Sequence, residues 1–143
     1  MNCLFPNFAQ TKISFRIHDG KEHGIIAETI PDDIKLVIAP DSSSNDYEIH
    51  QKLAERGIDI LVIDHHEAEK YSEYACVINN QMCDYPTKAL SGAGVVYKFC
   101  SYIDKLLETS YADDYLDLAT TGIIADVMLL KDLEIRQIIL KGM

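Results

Sequence analysis

Two hydrophobic periods alternate along the chain. In "KISFRI" (Lys12–Ile17) the apolar residues Ile13, Phe15 and Ile17 fall at every second position, which predicts a strand with one apolar face. "IKLVIAP" (Ile34–Pro40) is an almost unbroken apolar run, the pattern of a strand covered on both faces. "SNDYEIHQKLAERG" then takes helical spacing, with Ser44 or Asn45 as its cap, Glu48 three residues after Asn45, and Gly57 past its end. "IDILVID" and "ACVINN" predict a second and a third strand. From Ser91 onward the period is helical, and Val95, Val96, Phe99, Cys100, Ile103, Leu106 and Leu107 form one wide apolar stripe. A further helix over about Tyr111 to Ile124 carries Tyr115, Leu116, Ala119 and Ile123, and "DLEIRQIIL" starts a last one. No internal repeat, low-complexity tract or Ser/Gly linker interrupts this order.

Strand and helix alternating through short connections predict an α/β fold, an open parallel sheet with helices on both faces. Such a sheet binds ligands beyond the carboxyl ends of its strands. Asp41 follows the "IKLVIAP" run, and Asp64, His65 and His66 follow "ILVI". All four therefore emerge on one edge, where neighbouring strands lie ~5 Å apart. Two polar groups distant in sequence can meet there without any special loop.

Composition narrows the class. A chain of 143 residues, 48% hydrophobic and 25% charged, is expected to form a single soluble globular domain. No apolar run reaches the ~18 residues of a membrane span. "MNCLFPNFAQTK" lacks the basic start and apolar centre of an export signal, so the expected location is cytoplasmic. Cys3, Cys76, Cys83 and Cys100 are irregularly spaced and are expected to be reduced and mostly buried. A net charge of −10 argues against a large phosphate-gripping surface. It leaves room for a small acidic site, because carboxylates that hold a metal add to the negative count.

Imidazole and carboxylate together suit Mn²⁺, Fe²⁺ or Zn²⁺ better than Ca²⁺. The nearest cysteine, Cys76, lies ten residues past His66, which weakens a structural zinc site. Ser91 can cap a helix whose Gly92 and Gly94 let free backbone N–H groups approach a phosphate, or the glycines merely allow close packing of helix on sheet. His18, His23 and His50 read as surface or packing residues. Tyr85 and Tyr97 could stack on a base, although packing suits them better.

"VIDHH", preceded by "APD" and followed some sixty residues on by "GIIADVM", resembles the DHH phosphoesterase superfamily. "LSGAGVVYKFC" and "LATTGIIADVMLL" are similar to its RecJ-like branch, single-strand-specific 5′→3′ DNA exonucleases, and "APDSSSNDYEIHQKLAERGID" with "CVINNQMCDYP" is closest to phage and prophage types. The resemblance runs from about Lys12 to the end. It implies a partial DHH domain acting on single-stranded DNA with Mn²⁺ (or Mg²⁺). By the same resemblance Asp41 bridges two ions, and His65 and Asp126 are ligands of one of them. His66 touches the scissile phosphate, and Asp64 holds the loop or an imidazole in orientation from behind.

The chain also departs from the family. The aspartate-rich first motif, of "DxDxDG" type, has no match; "RIHDGKEHG" with His18, Asp19 and Gly20 lies too close to Asp41 to serve. The second domain that helps form the DNA cleft would begin past Met143. The expectation is thus a truncated domain over 1–143, weak or inactive alone on single-stranded DNA, with no membrane and with a complementing chain or a second copy as a partner. Two further readings stay open. One is a hydrolase of short oligonucleotides or nucleotide phosphates; the other is a non-catalytic metal- or partner-binding remnant.

Overall fold

The structure, a computed structural model, describes residues 12–17 and 24–143. Three strands, β1 (Leu36–Pro40), β2 (Asp59–Asp64) and β3 (Cys76–Asn79), pair in parallel in the order β1-β2-β3. Pro40 stands opposite Ile63 and Asp64 opposite Asn79, so the three carboxyl ends finish almost level. That levelling is what makes one edge a site.

Parallel in-register pairing sends partnered residues to the same face. Val37, Ile60, Val62 and Val77 turn to one face, where they pack with Leu53 of α1 (Tyr47–Glu55) and with Ala27 of the 3-10 turn Ala27–Thr29. Leu61, Ile63 and Ile78 turn to the other, under α2 (Gly92–Leu107), α3 (Leu116–Ala125) and α4 (Leu133–Gly142). There Leu90, Val95, Ile123 and Ile135 complete the larger core. The expected open parallel sheet with helices on both faces is the fold observed. Among the described residues, no helix is long and apolar enough to cross a membrane.

Several local expectations need correction. β2 is covered on both faces, but β1 is not: Leu36 and Ile38 remain 51% and 54% exposed on the face that α2–α4 cover elsewhere. Lys12–Ile17 forms no strand, and Ile13, Phe15 and Ile17 stand in solvent. Alternation alone makes a strand only where a neighbouring strand supplies the other half of the ladder. The cap of α1 is Asp46, not Ser44 or Asn45, and its carboxylate instead accepts the Ile25 N–H (3.2 Å). The Ser44 and Asn45 side chains bond elsewhere, the hydroxyl accepting from Asn79 and the amide donating to the Glu67 carbonyl. Gly57 does end α1, at φ +72°.

The apolar stripe of α2 is buried fully only at Val95; Cys100, Leu106 and Leu107 are exposed. The helix expected over 111–124 begins as a 3-10 turn, Tyr111–Tyr115, which Asp104 ties back to α2 by accepting the Ala112 N–H (2.6 Å). Cys76, Cys83 and Cys100 are exposed rather than buried. His50 is wholly buried on α1, while Tyr85 and Tyr97 pack on the larger core and bond Glu134 and Asp113. His18, Asp19, Gly20, His23 and Cys3 lie outside the described residues.

Candidate metal centre

Asp41 leaves β1 through a sharp turn. Its N–H donates to the Ile63 carbonyl (2.8 Å), which carries the sheet ladder one residue past the strand. Its φ of +59° then lies in the left-handed region, as does that of Ser43 at +78°. Non-glycine residues pay for this conformation, and it persists where surrounding contacts over-determine it. Part of the enclosure is Gly92, at the start of α2: a β-carbon there would fall on the Asp41 carboxylate and 2.6 Å from the Asp41 Cβ. Gly92 is therefore the residue that makes room for Asp41.

Asp64 ends β2 with 1% of its surface exposed. A buried carboxylate needs several donors, and this one has them. It accepts from the backbone N–H groups of Ser44 (3.1 Å), His65 (2.7 Å) and His66 (3.3 Å), and from the His66 ring Nδ1 (2.7 Å). Burial pushes its carboxyl upward in pKa, but the bonds from His66, Ser44 and His65 outweigh burial and hold it below the ordinary carboxylate value. The interaction also fixes the exposed His66 ring with Nε2 free of Asp64.

His65 is oriented from the other side. Its Nδ1 lies 3.1 Å from the Leu90 carbonyl, which can only accept, so the proton sits on Nδ1. Nε2 then faces Asp41 Oδ1 at 3.3 Å and Asp126 Oδ2 at 3.8 Å. The hydrogen bond with Asp41 raises the pKa of the imidazole; burial opposes this, and the charges of Asp41, Asp126 and Asp64 add to the rise. Three sets of lone pairs point at one another here. Only a proton or a cation between them makes the arrangement favourable.

The donor set fits a divalent cation. One ligand atom from each of Asp41, His65 and His66 can be chosen so that all lie within 4.8 Å of one another. Asp126 joins from the C-cap of α3, with its side chain 41% exposed and Val127 turning the chain away at φ +53°. Mixed imidazole and carboxylate donors suit Mn²⁺-like ions, and the Leu90 carbonyl behind His65 is the usual kind of orienting partner. The structure thus brings Asp41, His65, His66 and Asp126 together, with Asp64 directly behind.

Ser91, Gly92 and Gly94 are placed differently from a phosphate cradle. The Ser91 hydroxyl accepts the Gly94 N–H (3.2 Å), Ser91 is fully buried, and a β-carbon on Gly94 would press on Leu90. Close packing accounts for Ser91 and Gly94, and Asp41 accounts for Gly92. Sequence reasoning passed over Ser44 and Asn79, which lie behind the ligands. The rule that found Asp41 and Asp64, a polar residue at the carboxyl end of a buried strand, would have found Asn79 too.

Comparison with known proteins identifies the family of the chain. The family model "DHH family, N-terminal domain" matches residues 4–123. YorK of Bacillus subtilis (strain 168), SPbeta prophage-derived and named for single-strand DNA-specific exonuclease activity, is 49% identical over 135 residues, covering 94% of this chain and 23% of its own. The crystal structure of exonuclease RecJ bound to manganese superimposes with a TM-score of 0.75 at 25% identity, over 86% of this chain and 32% of that one. RecJ from Thermus thermophilus in complex with Mn²⁺ gives 0.68 at 26% identity, over 76% and 16%. The chain therefore spans less than a quarter of the curated relative it matches. The matched region holds both strand ends that carry Asp41 and the Asp-His-His triplet, and the chain belongs to the DHH family.

Proposed function

We propose that this chain carries part of the metal-binding centre of a phosphodiesterase that degrades single-stranded DNA in the 5′→3′ direction. The observation that carries the reading is the convergence of Asp41, His65 and Asp126 beyond the carboxyl ends of β1 and β2. Asp41, His65 and Asp126 would hold Mn²⁺ or Mg²⁺. Bound there, the metal supplies Lewis acidity toward the phosphodiester and lowers the pKa of water.

The protein's own residues then do three things. His65, its tautomer set by Leu90, keeps a lone pair on Nε2 for the metal. Asp64 holds the His66 Nδ1–H, so His66 can turn Nε2 toward a phosphate oxygen and donate to it once that nitrogen is protonated. Gly92 leaves Asp41 its space.

A second reading is favoured by what the 143 residues lack. No aspartate-rich first motif is present, and the net charge of −10 repels a phosphate backbone. By this reading the fold binds a metal ion but cleaves no DNA even when a first-motif segment is added. A 5′-labelled single-stranded oligonucleotide with Mn²⁺ decides between them, using this chain, its Asp41→Ala variant and the chain with an added first-motif segment. Cleavage only by the extended protein supports the shared-site reading; no cleavage by any of them, with Mn²⁺ bound, supports the second.

A further inference from the structure

Directly behind the ligands, one buried amide touches both ligand-bearing loops. Asn79, the last residue of β3, is 2% exposed. Its Nδ2 donates to the Ser44 hydroxyl (2.9 Å), in the loop after Asp41, and to the His66 carbonyl (2.8 Å), in the loop after β2. Its Oδ1 accepts the Gln81 N–H (2.8 Å), which fixes which way round the amide lies. Both N–H donors and the carbonyl oxygen are in use.

Ser44 closes the circuit. While its hydroxyl accepts from Asn79, its N–H donates to Asp64 (3.1 Å), and Asp64 in turn holds the N–H groups of His65 and His66. Ser44, Asp64 and Asn79 are each at least 98% buried. Buried polar groups that are fully satisfied rigidify what they connect, whereas removing one member leaves the others unpaired.

We infer that Asn79, acting through Ser44 and the His66 carbonyl, is a positioning residue that sets the separation of Asp41 from the His65–His66 pair and thereby the metal affinity of the site. Strand order explains why β3 supplies it. β1 and β2 bear the ligands, and the loop of β1 must cross over the end of β2 before α1 begins. A residue level with Asp64 on the next strand is placed to clasp that crossing. An aspartate would not serve. When ionised it offers no donor, and it would set a carboxylate against the His66 carbonyl.

The inference rests on the proposed metal site, and the test separates the two. Mn²⁺ binding to the chain is titrated by electron paramagnetic resonance for wild type, His65→Ala, Asn79→Ala, Ser44→Ala and the double variant Asn79→Ala/Ser44→Ala. Circular dichroism confirms that each is folded at the temperature used. Binding in the wild type that is lost in His65→Ala establishes the site. Asn79→Ala and Ser44→Ala are then each expected to weaken Mn²⁺ binding by about tenfold, the low end for groups that orient ligands. In the double variant the losses should fall well short of multiplying, because one bond is common to both. Unchanged affinity in both folded single variants, or losses that multiply, overturns the inference while leaving the site intact. Equal binding by wild type and His65→Ala removes the site, and the inference with it. Where Asn79→Ala does not fold, Ser44→Ala alone decides, since it deletes the shared hydroxyl and keeps the backbone bond to Asp64.

Discussion

Substituting Gly92 by alanine tests how Asp41 is held. In an ordinary helix this change stabilises by about 0.5–1 kcal/mol, because glycine loses more backbone freedom on folding. At position 92 the added carbon would lie 2.6 Å from the Asp41 Cβ, against ~3.4 Å for an ordinary contact, and on top of its carboxylate. The conflict reaches Cβ, so rotating the Asp41 side chain does not relieve it. Backbone must give by roughly 0.8 Å, and overpacking of that size costs about 1–3 kcal/mol.

The net loss of stability is then about 0–2.5 kcal/mol, a fall of at most roughly 10 °C in Tm for a chain of this length. Metal affinity should respond far more, because a displacement of Asp41 changes its 3.3 Å approach to His65 Nε2. Thermal unfolding by circular dichroism and Mn²⁺ titration of Gly92→Ala should show a shift in Tm within that limit beside at least a tenfold loss of affinity, equivalent to about 1.4 kcal/mol. Affinity within twofold of wild type would show that Gly92 does not shape the site.

Other outcomes follow from the same geometry. His65→Ala should abolish Mn²⁺ binding measured by calorimetry, and equal affinity would remove His65 as a ligand. Mn²⁺ at a hundred times its Kd should stabilise the wild type by about 2.7 kcal/mol, seen as a rise of roughly 5–10 °C in Tm, with none in His65→Ala. Asp64→Asn should destabilise by about 1–3 kcal/mol in urea unfolding, because an amide nitrogen cannot accept the N–H groups now bonded to both carboxylate oxygens. His50 is fully buried with neither ring nitrogen bonded among the described residues, and burial lowers its pKa against the opposing charge of Asp46. Its folded pKa lies below the unfolded value, so stability is complete above about pH 6.5 and is lost as pH falls. His65, raised by Asp41, has the opposite sign, contributing stability below that pH which is lost as pH rises through its folded pKa. Metal-free urea unfolding from pH 5 to 7.5 should therefore show a flatter acid limb in His50→Leu than in wild type, with the His65 contribution common to both; identical limbs would mean that His50 does not titrate with folding.

Much of this protein was legible in its sequence because the information is local. Apolar runs of strand length and the switch to a helical period are properties of neighbours in the chain, and they locate β1–β3 and α1–α4 to within a few residues. Parallel strands joined by helices must expose their carboxyl ends together, so Asp41 and the Asp64-His65-His66 triplet could be placed on one edge from pattern alone. What the pattern does not hold is the partner of each element. "KISFRI" has perfect alternation and still forms no strand, and "IKLVIAP" is apolar throughout yet leaves Leu36 and Ile38 uncovered, because coverage depends on what packs alongside.

The same limit applies to the site. Ser44 and Asn45 have the chemistry of helix caps, but tertiary bonds claim their side chains first, Asn79 holding the Ser44 hydroxyl and the Glu67 carbonyl the Asn45 amide. Gly92 could have been a phosphate contact, and only the fold shows that the Asp41 carboxylate occupies the space its side chain would fill. The sequence determined which strand ends bear ligands, since that follows from order along the chain. The tertiary structure alone decided which backbone carbonyl fixes the His65 tautomer and which buried amide joins the loops, since Leu90 and Asn79 lie 25 and 13 residues from the groups they hold. Hydrogen bonds across such distances depend on packing in three dimensions, for which no periodicity along the chain is a proxy.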